Sequence, residues 1–218
     1  AVDDDGALRW SLQHAGRVVV EPSELGFELR DTPPLVNGFE ITDTRRRDDV
    51  EQFELPWGET RFVRDAYREL EVDLLQPATN RRMGIVVRAF DDGVGFRFVW
   101  PEQGTMTDFV IDDELTEFRF AGDPAAWWIP AYAGNRYEYL YQRHRLSALA
   151  VRPGVRAVHT PFTLEMDDGP YVAVHEAALT DYASMTLAVD DGSRLHADLV
   201  PWSDGSKGSV EALSDGTL

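Results

Sequence analysis

The residues best able to do chemistry lie in the run from Tyr171 to Leu179, which reads Tyr-Val-Ala-Val-His-Glu-Ala-Ala-Leu, with Asp181 and Tyr182 one short turn later. Taken as a strand, this run puts Tyr171, Ala173 and His175 on one side and Val172, Val174 and Glu176 on the other. A carboxylate continuing the valine face must leave the core, pair with a cation or bind a metal, because an unpaired buried charge is very costly. A strand that simply ends there would leave Glu176 solvated. His175 fits either a hydrogen-bonded structural role or that of a ligand or base. Together His175, Glu176, Asp181 and Tyr182 form a polar cluster at a strand end, where sandwiches present ligand groups.

A second concentration is aromatic: Trp127 and Trp128, then Tyr137, Glu138, Tyr139 and Tyr141. Aromatic faces stack on the C–H surfaces of sugar rings while carboxylates and arginines take the hydroxyls. Cross-strand packing within a core explains the same residues equally well. Other constellations are missing. The sequence has no Gly-x-Ser-x-Gly elbow, phosphate-binding loop, dinucleotide fingerprint or His-Glu-x-x-His pair. His144, His159 and His175 are spaced too irregularly for a zinc site. Epimerising chemistry would need His175 and Glu176 to converge on one ring, yet neighbours on a strand point to opposite faces.

These groups must be carried by strands. Short alternating apolar runs bounded by Gly, Pro, Asn and Asp predict an antiparallel all-β protein. Leu8–Leu12 leads through Ala15-Gly16 into Val18–Val20, and Leu25–Arg30 alternates again. Three Asp-Asp-Gly triplets, at 91–93, 167–169 and 190–192, predict hairpin turns, since Asp-Gly tolerates the positive φ of tight turns. They pair Gly84–Phe90 with Val94–Trp100, Phe162–Met166 with Tyr171–Leu179, and Met185–Val189 with Arg194–Val200. With runs at Tyr67–Leu75, Glu117–Phe120 and Tyr137–Gln142, the count passes a dozen strands, which suits a large two-sheet sandwich. Residues 1–202 read as this domain, and 203–218 as a polar tail or linker.

Composition excludes several classes. A formal charge of -18 over 218 residues argues against nucleic acid, which needs a clustered basic surface. The one basic run, Arg45-Arg46-Arg47, is cancelled by Asp48, Asp49 and Glu51. No apolar stretch is long enough to span a bilayer. Without cysteine there are no disulfides or thiolate metal sites. The first residue is Ala1 rather than Met, as in a processed or trimmed product.

Three stretches together resemble glycoside hydrolase family 97. They are Arg88–Phe98 with its Asp-Asp-Gly hairpin, Tyr137-Glu138 followed by Tyr141, and Thr160-Pro161 followed by His175–Leu179 and Asp181-Tyr182. Glu21–Ser23, Leu25-Gly26, Arg64-Asp65 and Glu69-Leu70 fit as well, so the likeness runs from Leu8 to Pro201. The resemblance implies the N-terminal β-super-sandwich, galactose-mutarotase-like, of an α-glucosidase or α-galactosidase. It further implies a (β/α)8 barrel that supplies the catalytic carboxylates and, close to the general acid, a calcium ion.

By motif match Glu176 is the N-terminal domain's ligand to that calcium. His175, Asp181, Tyr182, Trp127, Trp128, Tyr137 and Glu138 become candidates for the wall of the sugar pocket. The implied partners are the protein's own barrel and an α-linked oligosaccharide. One carboxylate cannot hydrolyse a glycoside, which needs two flanking the bond. The domain alone is therefore expected to be inactive and not to retain calcium. An independent carbohydrate-binding sandwich using the aromatic strip is the alternative.

The resemblance points to secretion or the periplasm. Lys207 is the only lysine among abundant Asp, Glu and Arg, the composition of a salt-adapted surface or of a high-GC codon bias. Repulsion among so many carboxylates opposes compaction until salt screens it. The melting temperature should therefore rise with KCl into the molar range, and a melting curve indifferent to KCl would refute salt adaptation.

Overall fold

The computed structural model describes residues 1–132, 137–180, 182–191 and 194–200, with Asp191 by its backbone alone. Among these residues, sixteen strands and one short helix follow in chain order. They are β1 (Leu8–His14), β2 (Arg17–Leu25), β3 (Phe27–Leu29), β4 (Glu40–Glu54), β5 (Phe62–Gln76), β6 (Arg81–Ala89) and β7 (Val94–Val99). Next come β8 (Ile111–Glu114), β9 (Glu117–Arg119), β10 (Ala125–Trp128), β11 (Gln142–Arg145), α1 (Leu146–Ala150), β12 (Ala157–His159), β13 (Phe162–Glu165), β14 (Tyr171–Val174), β15 (Ser184–Asp191) and β16 (Arg194–Val200). The fold class is all-β and antiparallel, as expected. The chain divides into two compact units, one of Ala1, Ala7–Asn37 and Phe109 onward, the other of Val2–Gly6 and Gly38–Asp108.

The first unit is a sandwich. Its two four-stranded sheets run β11-β10-β13-β14 and β12-β15-β16-β9. Alternation decides which side chains meet between them. Trp128, Phe162 and Leu164 from one sheet join Phe118, Val158, Leu187 and Leu195 from the other in one buried cluster. Burying each such side chain contributes about 1.5–3 kcal/mol. Leu146 and Leu149 of α1, both wholly buried, join the same cluster. Sequence periodicity missed this helix because five residues are too few to display it.

The expected hairpins form: β1 with β2, β6 with β7, β13 with β14, and β15 with β16. Of the two described Asp-Asp-Gly turns, only that after β13 uses a positive φ, and it does so at Asp168 (51°) rather than at glycine. Two strand expectations fail. Tyr137–Tyr141 is not strand, and β11 begins only at Gln142. β14 stops at Val174 rather than Leu179, because its last partner is Phe162 and the residue beyond, Pro161, has no N–H to extend the ladder.

The second unit is built on one sheet, β4-β5-β6-β7. Its strand β4, fifteen residues long, was hidden in the sequence by its charges and is exposed throughout. Cross-strand ion pairs hold it to β5. Arg45 binds Glu71 and Asp73, and Arg47 binds Glu69, as does Arg88 of β6. The Glu69 side chain is only 2% exposed, at 2.5 and 2.7 Å from these two guanidiniums. Arg88 also lies 4.0 Å over the Tyr67 ring, whose hydroxyl donates to Glu51 at 2.8 Å. Flanked by Arg47 and Arg88, the Glu69 carboxyl is held down to about 2, against an ordinary 4.5.

A depressed carboxyl binds fewer protons folded than unfolded, so its contribution is whole above pH 4.5 and is lost as the pH falls towards 2. The melting-temperature gap between wild type and Glu69→Gln should be widest above pH 5 and should close towards pH 2. Thermal scans across that range check it, and a gap independent of pH would contradict the ion-pair account.

Candidate functional site

Where β14 ends, the chain crosses from one sheet of the sandwich to the other, and Glu176 lies in that crossing. It is half-buried, and its Oε1 accepts the backbone N–H of Met185, at the start of β15, at 2.9 Å. Its other oxygen takes no hydrogen bond among the described residues. Burial pushes the Glu176 carboxyl above the ordinary carboxylate range and Glu114 adds to the rise, while the Met185 N–H and His175 partly offset it.

Glu114, the last residue of β8, is buried at 9% exposure. Two hydroxyls donate to it, Tyr182 at 2.7 Å to Oε2 and Thr116 at 2.6 Å to Oε1. Tyr182 is in turn held protonated far above its usual range, first by burial and then by the Glu114 charge. The arrangement is thus two carboxylates near each other, one satisfied by hydroxyls and one with an oxygen to spare. It can receive a cation but has no paired acid and base. Among the described residues no cluster of three or more His, Cys, Asp or Glu could hold a metal ion. Calcium takes six to eight oxygens, so Glu176 fits as one donor to a site completed by other groups, and does not fit as a site by itself.

The remaining sequence candidates separate. Tyr182 belongs to this region through Glu114, and exposed His175 touches it by a 3.1 Å contact between its Nδ1 and the Glu176 carbonyl oxygen. Asp181 lies outside the described residues. Trp128 is a core residue, 1% exposed, with its indole N–H donated to His144 Nδ1 at 3.2 Å. Its neighbour Trp127 faces outward at 38% exposure beside Arg143, which binds Glu165. Tyr137, 61% exposed, lays its ring 4.1 Å from that of His159. Glu138 is exposed. The aromatic strip is therefore not one surface.

Sequence reading missed Glu114, because the run Ile-Asp-Asp-Glu looks like a solvated acidic edge. It also missed the Met185 N–H, which no side-chain pattern can reveal.

The N-terminal domain model of glycosyl hydrolase family 97 matches residues 1–213, and the chain belongs to that family. A probable retaining alpha-galactosidase of Streptomyces bingchenggensis (strain BCW-1) is 30% identical over 122 residues, which are 56% of this chain and 18% of that protein. A family 97 enzyme from Pseudoalteromonas sp. strain K8 is similar in structure, solved both as a variant with panose and with acarbose. In each case identity is 37% and the TM-score 0.85 over 92% of this chain and 30% of that one. A beta-arabinopyranosidase at 18% identity and TM-score 0.81 shares the fold. The chain thus spans under a third of the length of these solved family members.

Losing the Tyr182 hydroxyl would leave Thr116 as the single side-chain donor to Glu114 among the described residues. Tyr182→Phe should destabilise the domain by about 1–3 kcal/mol, measured by urea denaturation; an unchanged midpoint would show that the pair carries no weight.

Proposed function

We propose that this chain is the noncatalytic N-terminal domain of an α-glycoside hydrolase, that it docks on a (β/α)8 catalytic barrel, and that Glu176 is its ligand to a calcium ion shared with that barrel. The observation that carries the proposal is the state of Glu176, a half-buried carboxylate with one oxygen fixed by Met185 N–H and the other without a hydrogen bond among the described residues. A carboxylate partly desolvated beside a second carboxylate gains from a hard cation, and calcium prefers such oxygen donors.

Within this domain the roles divide. Met185 and the end of β14 orient the Glu176 carboxylate, Glu114 with Tyr182 and Thr116 fixes the ground beneath it, and His175 stands exposed beside it. The cation, when bound, would supply positive charge near the scissile bond. His175, Asp181 and Tyr182 would form the pocket wall against an α-linked oligosaccharide. Membership of the family supports an α-glucosidic or α-galactosidic substrate and a secreted or periplasmic setting, and the acidic composition supports a salt-adapted organism.

The runner-up is an independent carbohydrate-binding domain, favoured by one observation, the outward-facing Trp127 beside the Arg143–Glu165 pair. One set of measurements separates the two. In the chain joined to its barrel, Glu176→Gln should raise the calcium concentration for half-maximal activity by about tenfold or more, and direct calcium titration should show the same loss of affinity. Unchanged calcium dependence would overturn the metal role. Calorimetric binding of malto-oligosaccharides to the isolated chain, abolished by Trp127→Ala, would favour the runner-up.

A further inference from the structure

Strand β4 ends its sheet, so one side of its fifteen-residue backbone faces outward. A long open edge is a template for another strand, and proteins restrict what adds to it with charge. Here the charges are ordered: Arg45, Arg46 and Arg47 come first, then Asp48, Asp49 and Glu51. A strand with this pattern repels a parallel copy in register and matches a reversed one.

Geometry narrows the match. In a two-fold antiparallel pair, opposed residues must lie on the same face of both strands, so they differ by an even number of positions. Centring the pair on Asp48 sets Arg47 against Asp49 and Arg45 against Glu51, each twice by symmetry. The only like-charge contact is Asp48 with its own copy, and Arg46 stands beside it on the same face. Centring on Arg47 instead opposes Arg47 to itself, Asp43 to Glu51 and Glu40 to Glu54. Like charges directly opposed destabilise a sheet, so the register on Asp48 wins.

The groups required are accessible. Every residue of β4 is exposed. Arg45 and Arg47 already bind acids of β5, but a guanidinium has five N–H donors and retains some. Asp49 lies 4.0 Å from Arg47 and, among the described residues, is otherwise held by the N–H of Val50 next to it.

We propose that β4 is a self-recognition edge, through which two copies of this chain join their four-stranded sheets into one of eight, antiparallel and centred on Asp48. With a formal charge of -18 per chain, indiscriminate association is opposed, and a locally complementary strand gives the pairing its specificity.

Sedimentation velocity on the 218-residue chain, from micromolar to near-millimolar, should show a monomer–dimer equilibrium. The chain has no cysteine, so the register can be read with introduced ones. Asp48→Cys puts two thiols on directly opposed positions, with Cα atoms about 4.5–5.5 Å apart, within disulfide reach. It should cross-link under mild oxidation. Thr44→Cys would oppose Gln52, leaving its two copies about 27 Å apart, and should not cross-link. Asp49→Lys, at an exposed position, should weaken the dimer by about tenfold with an unchanged circular dichroism spectrum. A chain monomeric throughout overturns the proposal. So does a dimer in which Asp48→Cys fails to cross-link, or one that Asp49→Lys leaves equally tight.

Discussion

The larger unit depends on one layer of apolar side chains shared by two sheets. Trp128, Phe162 and Leu164 reach into it from one side, and Phe118, Val158, Leu187 and Leu195 from the other. Because strand side chains alternate, filling this layer dictates everything that faces away from it. Trp128 goes in and Trp127 must go out. Val172 and Val174 pack against the layer while Tyr171 and Ala173 stand exposed. The indole N–H of Trp128 still needs a partner in so dry a place, and His144 supplies it at the edge of the same sheet.

This constraint explains why the fold could be read from the sequence more fully than the site. Alternation and Asp-Gly turns report local geometry, and they placed the β6–β7, β13–β14 and β15–β16 hairpins, within a few residues of their ends except at β14, which stops at Val174 rather than Leu179. Charge patterning misled where cross-strand pairing, not burial, supports a strand. The Arg45–Glu51 stretch shows in the sequence only as a basic run cancelled by its acidic neighbours, yet it is the middle of β4, held by Glu69, Glu71 and Asp73 of β5. The site was half visible. Glu176 declared itself as a carboxylate following an apolar face, although the strand expected to carry it stops two residues short. Its partner is a backbone N–H, and Glu114 lies 62 positions away by subtraction of residue numbers, so neither leaves a local trace in the sequence.

The two units stabilise their strands by different means. In the sandwich, the layer shared by Trp128, Phe162, Leu187 and Leu195 is apolar, and its burial stabilises both sheets. In the four-stranded sheet, one face carries a connected series of charges from Asp43 through Arg45 and Glu71, and from Arg47 through Glu69 to Arg88. A buried carboxylate such as Glu69 is tolerable only because two guanidiniums converge on it. Such a network tolerates high salt better than isolated surface pairs do, because its central group is shielded from solvent.

Glu69 and Glu176 make an instructive pair. Both are carboxylates removed from water to some degree, but Glu69 has its cations within the chain and its carboxyl is lowered, whereas Glu176 has a neutral N–H and a nearby Glu114, and its carboxyl is raised. Glu114 itself is stabilised by hydroxyls rather than by charge. The domain therefore contains the means to satisfy a buried acid, and at Glu176 it uses only part of them. A group left in this condition gains more from an arriving cation than a satisfied one would. Binding would release the desolvation cost that the folded chain already bears.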